Sequence, residues 1–273
     1  MELHPWNCDF RWRMPAGPYR RITAQQARAY DEHGFFLLEN AFDAKTLETM
    51  QAEIDPWEEK TTEFLRTRTG GRLFIADAEA ITFTVHLVAR SSYLRDLCRG
   101  PLFQDLGHDL IGPDVRLYWD QAVYKKPEPE RSFPWHQDNG YNFVLPQQYL
   151  TCWIALNDAT LENGCPWVVP GLHRHGTLQH WLTEAGWQCL KDPEGAIPIP
   201  VRAGDIAVFS SLTPHRTGPN RTAHVRKAYI VQLAPEGAVM LAPRSTKEGP
   251  LRTLQTAPER QFPILVRGVA APA

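Results

Sequence analysis

The pattern of hydrophobic and polar residues changes once along the chain, near residue 115. Upstream of that point, apolar residues recur at the three- and four-residue spacing typical of amphipathic helices. Residues 23–26 have the form of a capping box, so a first helix is predicted to begin there and to end at Gly34. A short strand is predicted to follow over residues 35–38.

A second helical region is predicted from Asp43, which is a suitable N-cap. The apolar residues that share one face of this helix are Leu47, Met50 and Ile54. Pro56 lacks a backbone N–H and suits the first turn of a helix, so we predict an interruption there and a further helix to about Leu65.

Helices are also expected in the next forty residues. Gly70 and Gly71 mark a turn, and residues 72–95 are expected to be helical and to contribute to substrate specificity. Residues 90–110 are predicted as a helix with three apolar positions at helical spacing, namely Leu94, Leu97 and Leu102.

From residue 115 onward, short runs rich in β-branched and aromatic residues replace the helical pattern. Gly, Pro and Asn separate these runs, as is typical of strands joined by turns. The predicted strands are residues 115–126, 149–157, 166–169, 205–210 and 225–233. Helices followed by many short strands favour a β-sandwich or a small barrel with a helical buttress.

Composition and charge are those of an ordinary globular protein. The chain has 273 residues, of which 43% are hydrophobic and 22% charged, and its net charge is −2. Proteins that bind nucleic acid or membrane surfaces usually carry a basic excess, so neither partner is predicted. No secretory signal and no membrane span of ~18 apolar residues is predicted. The five cysteines have no CxxC spacing, which predicts free thiols in a cytoplasmic protein.

The first residues that suggest chemistry are His136 and Asp138. If this segment is extended, both side chains point to the same face, where they could supply two ligands to a divalent metal. The alternative is a surface turn with incidental polar residues. His215 lies at the end of a predicted strand, and a strand end facing into a barrel can bring it beside this pair. Two histidines and one carboxylate form the facial triad of non-haem Fe(II) oxygenases.

A site for a dicarboxylate cosubstrate is predicted next to this metal site. Arg226 follows His215 by eleven residues across a turn, and a hairpin could place its guanidinium inside the barrel. There it would bind a carboxylate in bidentate fashion. 2-Oxoglutarate has the required shape, because its 2-oxo acid end chelates iron while its far carboxylate reaches the arginine. Thr217 should share the face of His215 and could donate its hydroxyl to that carboxylate.

Taken together, these motifs resemble those of the phytanoyl-CoA dioxygenase family of Fe(II)/2-oxoglutarate oxygenases. The resemblance extends almost from end to end, over residues 33–54, 135–138, 153–173 and 215–226. It implies a mainly β fold with flanking helices around a double-stranded β-helix, which is a cupin-like jelly roll. It also implies one oxygenase domain over residues 1–273, whose parts are a mostly helical buttress and lid (1–110), the jelly-roll core (111–240) and a C-terminal extension (241–273).

The resemblance also implies roles for individual residues. The metal ligands that form the catalytic centre would be His136, Asp138 and His215. The residues that bind 2-oxoglutarate would be Arg226, Thr217, Trp153 and Gln121. The chain departs from the family pattern at three positions that are not metal ligands, Asn157, Leu172 and Thr217.

The activity implied by the resemblance is hydroxylation of a small organic molecule with O2, accompanied by release of succinate and CO2. Related halogenases lack the carboxylate of Asp138, so its presence favours hydroxylation. One alternative is a cupin-like isomerase or hydrolase that uses a metal without O2. Another is a non-catalytic binding barrel. The sequence identifies neither the substrate nor the oligomeric state, although four aromatic residues are expected around the mouth of the pocket: Trp135, Tyr141, Phe143 and Trp167.

Two further groups of polar residues are interpreted without assigning them a site. The histidines at 173, 175 and 180 match no closed metal site, so they are expected to lie in loops or at helix caps. The basic residues at 216, 221, 226 and 227 could suggest phosphate binding, as for a coenzyme A thioester. Charges beside a turn are usually solvated, and Arg226 is already assigned to the cosubstrate.

Overall fold

A computed structural model describes residues 1–14, 16–244 and 249–272 of the chain. Its helices are α1 (Ala24–His33), α2 (Ala44–Arg66), α3 (Ser92–Arg99) and α4 (Pro101–Leu110). None of the helices in these ranges is long and apolar enough to cross a membrane.

Nineteen strands account for most of the remaining regular structure in these ranges. They are β1 (Phe35–Leu38), β2 (Arg72–Leu73), β3 (Ala76–Asp77), β4 (Ile81–Val85), β5 (Val115–Lys125), β6 (Phe133–His136), β7 (Phe143–Leu145), β8 (Leu150–Ala155), β9 (Pro166–Val168), β10 (Trp181–Thr183), β11 (Gly186–Gln188), β12 (Ile197–Pro198), β13 (Ile206–Ser210), β14 (His215–Thr217), β15 (Arg226–Pro235), β16 (Val239–Ala242), β17 (Leu251–Leu254), β18 (Pro263–Val266) and β19 (Val269–Ala270). Each of the five strands predicted after residue 115 is present within two residues of its predicted ends.

Two antiparallel sheets form the centre of the fold. The larger sheet has the strand order β1-β13-β8-β15-β5-β4-β3-β2, and β18 pairs with β5. The smaller sheet has the order β12-β9-β14-β6. Buried residues from both sheets, including Phe133, Val168 and Ile230, form one hydrophobic cluster between them. This arrangement is the predicted double-stranded β-helix, with the strand ends that carry polar side chains opening into its interior.

The helices cover the outer face of the larger sheet. Successive side chains of β15 point to opposite faces of the larger sheet. Ala228 and Ile230 lie in the cluster between the sheets, whereas Tyr229 and Val231 pack in the larger cluster that also contains Met50 of α2. Arg226 has the parity of Ala228 and therefore points into the barrel.

The beginning of the chain folds largely as its capping residues predict. The amide of Gln26 donates to the hydroxyl of Thr23 at 3.1 Å, and the amide of Thr23 donates to the side chain of Gln26 at 2.9 Å. Gly34 ends α1 with a φ of 83°. A Cβ at Gly34 would lie 2.5 Å from Oγ1 of Thr213, so this close approach to the barrel requires glycine.

The predicted interruption at Pro56 is wrong, because α2 runs without a break from Ala44 to Arg66. The residues of its buried face continue across the proline, with Ile54 before it and Glu58 after it. Burial of this face against the sheet offsets the hydrogen bond that the proline cannot donate.

Two other helical predictions are also wrong. Residues 72–85 form strands β2, β3 and β4, and β4 pairs with β5 along its length. Its sequence Ile-Thr-Phe-Thr-Val has the alternation and β-branching of a strand. The helix predicted over residues 90–110 is divided into α3 and α4 at Gly100, where Pro101 begins the second helix.

The last residue of β5, Lys125, is a buried lysine beside a buried arginine. It lies directly opposite Arg226 in the pairing of β5 with β15, and only 3% of it is exposed. Burial, with a contribution from Arg226, lowers the pKa of Lys125 to about 7. We expect Lys125→Met to raise the free energy of unfolding at pH 7 by roughly 1–3 kcal/mol, because it removes a buried ammonium.

The pH dependence of this gain follows from the lowered pKa. Between about pH 7 and 10.5 the unfolded chain binds a proton at Lys125 that the folded chain does not, so the wild type becomes more stable as pH rises. The gain from Lys125→Met should therefore be largest below pH 7 and disappear near pH 10.5.

Lys126→Met is the matched control. It should lower stability, because Lys126 donates to Thr62 and to the carbonyl of Ala78. Urea denaturation across this pH range measures both, and a loss of stability in Lys125→Met would contradict the account.

Candidate metal centre and adjoining cavities

Strands β6 and β14 bring the three predicted metal ligands together. His136 and His215 are direct partners in the antiparallel pairing of these strands, and their ring centroids are 4.1 Å apart. Asp138 begins the turn after β6, and its Oδ1 lies 3.8 Å from Nε2 of His215. One ligand atom from each residue lies within 4.8 Å of the others, and the described ranges contain no other cluster of this kind.

Hydrogen bonds to the backbone orient both imidazoles. Nδ1 of His136 lies 2.9 Å from the carbonyl of Pro134, and Nδ1 of His215 lies 3.0 Å from the carbonyl of Thr213. Because a carbonyl only accepts, each Nδ1 carries the proton and each Nε2 keeps its lone pair. Burial, together with the proximity of His215, holds the pKa of His136 well below its usual range. A neutral imidazole with a free Nε2 is the form that binds a metal.

A chain of two hydrogen bonds orients the carboxylate of Asp138. The hydroxyl of Thr151 donates to Oδ2 of Asp138 at 2.5 Å, and Nε2 of Gln232 donates to the same hydroxyl at 3.3 Å. The turn that carries Asp138 packs closely against the ring of His180. A Cβ at Gly140 would lie 2.0 Å from the ring of His180, so the turn can approach this ring only with glycine.

Replacing Thr151 with valine tests this orientation. Thr151→Val keeps the shape of the side chain but leaves Oδ2 of Asp138 without its donor. Loss of such an outer partner typically lowers metal affinity by about 10–100-fold, and we expect an effect in this range. Thr84→Val is the control, because Thr84 is also buried in a strand but bonds Thr61. Anaerobic Fe(II) titration measures both variants, and equal affinities would show that Thr151 does not position the ligand.

A small inner cavity of about 60 Å³ adjoins the three residues. Arg226, which is fully buried, lies in its wall. Its guanidinium makes one long hydrogen bond of 3.4 Å to the carbonyl of Val123, and its Nε and Nη2 have no partner among the described residues. The buried hydroxyl of Thr217 also lacks a partner there. The ring of Trp153 lies under the guanidinium at 5.1 Å.

An anion would satisfy these buried groups. Burial lowers the pKa of Arg226 to about 10, which still leaves the guanidinium charged at neutral pH. A buried cation without a counter-charge is costly unless a ligand supplies the charge. The inner cavity therefore fits a carboxylate, and the donor set of two imidazoles and one carboxylate beside it fits a divalent transition metal.

All seven residues predicted from the sequence border this inner cavity. They are Gln121, His136, Asp138, Trp153, His215, Thr217 and Arg226. The carbonyl of the Gln121 side chain accepts from Nε1 of Trp119 at 3.1 Å, and the residue lines both the inner cavity and a larger neighbouring one. Sequence reasoning missed Thr151 and Gln232. For Thr151 a signal exists, because it has the same parity as Trp153 on β8.

A larger outer cavity of about 330 Å³ lies on the open side of the metal centre. It shares His136 and Asp138 with the inner cavity. Aromatic side chains from three strands and three loops form most of its wall: Phe74, Phe83, Tyr118, Trp119, Phe133, Tyr141 and Tyr149. The segment 72–95 contributes to this wall from a strand and a turn, and its role in substrate specificity stays a prediction. Tyr141 also lies at its predicted place.

The other three aromatic residues predicted at the mouth lie elsewhere. Trp135 and Trp167 contact Arg216 on the far side of the smaller sheet, with its guanidinium 5.1 and 5.3 Å from their rings. Phe143 packs against His4 and Trp6. Trp135 points away because it directly precedes the inward-facing His136, and a register shift in the pairing of β6 with β14 separates it from the inward-facing Phe133. Trp167 points away because it alternates with Pro166 and Val168 on β9.

His173 and His180, two of the histidines that match no closed metal site, contact the backbone. His173 lies 3.1 Å from the carbonyl of Asp31, and Nε2 of His180 accepts from the amide of Gln137 at 3.0 Å. Neither belongs to a metal cluster among the described residues. The basic residues near 216–227 do not form one anion-binding surface, since Arg226 points inward while Lys227 points outward and pairs with Asp55 at 2.8 Å.

Comparison with known proteins gives a consistent result. A family model described as phytanoyl-CoA dioxygenase (PhyH) matches residues 30–228. The mouse phytanoyl-CoA dioxygenase domain-containing protein 1 is 26% identical over 293 residues, which cover 89% of this chain and 98% of that protein. Methylphosphonate hydroxylase of Gimesia maris is 34% identical over 150 residues, which cover 53% of this chain and 55% of that protein.

Solved structures share the fold at low sequence identity. The non-heme alpha ketoglutarate dependent carbocyclase SnoK from nogalamycin biosynthesis superposes with a TM-score of 0.65 at 22% identity. The superposition covers 88% of this chain and 98% of SnoK. This likeness supports the jelly-roll architecture described above.

Proposed function

Because the chain belongs to the phytanoyl-CoA dioxygenase family, we propose that it is an Fe(II)/2-oxoglutarate-dependent dioxygenase that hydroxylates a small organic molecule. The matched residues 30–228 cover most of the chain, and they confirm the family resemblance found in the sequence. The observation that supports the cosubstrate most directly is the buried, unpaired guanidinium of Arg226 beside the His136–Asp138–His215 cluster.

In the proposed reaction, His136, Asp138 and His215 would hold Fe(II). Arg226 and Thr217 would bind the far carboxylate of 2-oxoglutarate, with Trp153 and Gln121 in the walls beside it. When bound, the iron and 2-oxoglutarate supply the oxidising power to break a C–H bond with O2, releasing succinate and CO2.

The chain's own residues determine how that chemistry is confined. The backbone carbonyls of Pro134 and Thr213 fix the tautomers of the two histidines, and Thr151 fixes the carboxylate. The aromatic wall of the outer cavity limits the water that can reach the reacting carbon. Asp138 would supply a third protein ligand to the metal. Related halogenases lack this carboxylate and bind a halide in its place, so the presence of Asp138 supports hydroxylation as the outcome.

A substrate screen tests the proposed activity. Purified protein with Fe(II), 2-oxoglutarate and O2 should release succinate in amounts that rise when a substrate is supplied, and the product should gain the mass of one oxygen atom. Loss of two hydrogens would indicate desaturation instead of hydroxylation. Turnover without O2 and without succinate would contradict the proposal and favour a metal-dependent isomerase or hydrolase.

A further inference from the structure

We propose that the outer cavity selects an uncharged ring compound that bears hydroxyl or carbonyl groups, and that Tyr149 is one of the residues that recognise it. This inference rests on the proposed function in one respect, since it takes the outer cavity as the place where the substrate binds. It goes beyond that function by assigning the chemical class of the substrate.

The residues that line the outer cavity offer no free counter-charge to an ionic substrate. Among the described residues that line it, the one charged side chain is Asp138, which belongs to the metal cluster and already accepts from Thr151. Arg226 lines the inner cavity and not the outer one. Arg260 does not line the outer cavity, and its guanidinium lies 3.4 Å from His86 and 3.5 Å from Glu259. A carboxylate, phosphate or ammonium group in the outer cavity would therefore lose its hydration without gaining a partner of opposite charge.

The shape and composition of the wall favour a ring system. Half of the lining side chains are aromatic, and two of them, Tyr118 and Tyr149, are already in edge-to-face contact at 5.1 Å. Aromatic side chains contribute large apolar area and favour offset or edge contacts with a flat ligand. A volume of about 330 Å³ is at the small end of the range for ligand sites, which suits a compound of two or three fused rings.

The free polar groups of this wall are all neutral. Tyr149 is 2% exposed, and its hydroxyl makes no hydrogen bond to any described residue. Burial, together with Tyr118 and the charge of Asp138, holds the pKa of Tyr149 well above its usual range, so the hydroxyl stays protonated and can donate. The Gln121 and Gln232 side chains each have one end bonded within the protein, to Trp119 and Thr151. The other ends are a free N–H donor and a free carbonyl acceptor, which suit the oxygen functions of a neutral ligand.

The test uses four matched probes on the protein loaded with Fe(II) and 2-oxoglutarate without O2. They are 2-naphthol, 2-naphthoate, 2-naphthylmethylammonium and naphthalene, and binding is measured by titration calorimetry at pH 7. We expect 2-naphthol to bind at least about tenfold more tightly than either ion, because the ions have no partner in the cavity.

Tyr149→Phe should lower the affinity for 2-naphthol by about fivefold to tenfold, the effect of one neutral hydrogen bond, and leave the affinity for naphthalene unchanged. Tyr124→Phe is the control, since Tyr124 lies outside the cavity and bonds Asp55.

Three outcomes would overturn the inference: one of the ions binding as tightly as 2-naphthol, no binding of 2-naphthol at all, or equal effects of Tyr149→Phe and Tyr124→Phe. The assay requires no turnover, so its failure is distinguishable from failure of the proposed activity. Protein that takes up neither iron nor 2-oxoglutarate but keeps the expected order of probe affinities would contradict the proposed function alone. Iron-loaded, succinate-producing protein that prefers 2-naphthoate would contradict the inference alone.

Discussion

Asp138→Ala is expected to abolish tight Fe(II) binding and to lower turnover by at least ~10³-fold. The substitution removes the only anionic ligand of the cluster, and two neutral imidazoles alone bind Fe(II) poorly. It also leaves the hydroxyl of Thr151 without the oxygen to which it donates at 2.5 Å. Anaerobic metal titration and succinate release measure the two effects separately.

Asp138→Asn separates the loss of charge from the loss of volume. Its side-chain oxygen can still accept from Thr151, so the turn should keep its structure while metal affinity remains low. Both variants should unfold at nearly the wild-type temperature when all proteins are measured without metal. Undiminished iron uptake by Asp138→Ala would show that the cluster of His136, Asp138 and His215 is not the metal site.

Arg226→Leu should lower the affinity for 2-oxoglutarate by about 10²–10³-fold, because a buried charge-assisted pair contributes several kcal/mol to binding. Iron affinity should change little, since Arg226 is not in the metal cluster. The free energy of unfolding of the ligand-free protein should increase. The guanidinium is fully buried and has one hydrogen bond of 3.4 Å, so its removal relieves a desolvation cost.

Arg216→Leu is the matched control for this variant. Arg216 lies on β14 between His215 and Thr217, but it points to the opposite face and contacts Trp135 and Trp167. Its loss should leave 2-oxoglutarate affinity unchanged. The two variants are compared by anaerobic titration of the iron-loaded proteins with 2-oxoglutarate. Equal losses in both, or loss of iron from Arg226→Leu, would contradict the assignment of Arg226 to the cosubstrate.

The residues of the site could be predicted from the sequence where strand periodicity governs their direction. The two-residue spacing of His136 and Asp138, and of His215 and Thr217, is enough to aim each pair inward. The same rule applied to Trp135, the neighbour of His136, would have placed it on the opposite face, where it lies. Thr151 and Gln232 carry no motif, because their role comes from a contact between separate strands.

The errors in the predicted fold also arise from contacts between segments that are distant in sequence. A local pattern predicts a break at Pro56, but the buried face of α2 continues through it because tertiary packing compensates for one missing hydrogen bond. The helical prediction for residues 72–95 fails over β2, β3 and β4, although the sequence of β4 has the alternation of a strand. That strand is held by pairing with β5, some forty residues further along the chain, which no short window of sequence can show.

The most direct test of the central claim is the visible spectrum of the protein with Fe(II) and 2-oxoglutarate in the absence of O2. We predict a weak metal-to-ligand charge-transfer band that saturates at one iron and one 2-oxoglutarate per chain. The band should be absent from Asp138→Ala and His215→Ala, and in Arg226→Leu it should require much more 2-oxoglutarate. Absence of the band from the wild type, or its persistence in both metal-ligand variants, would contradict the account.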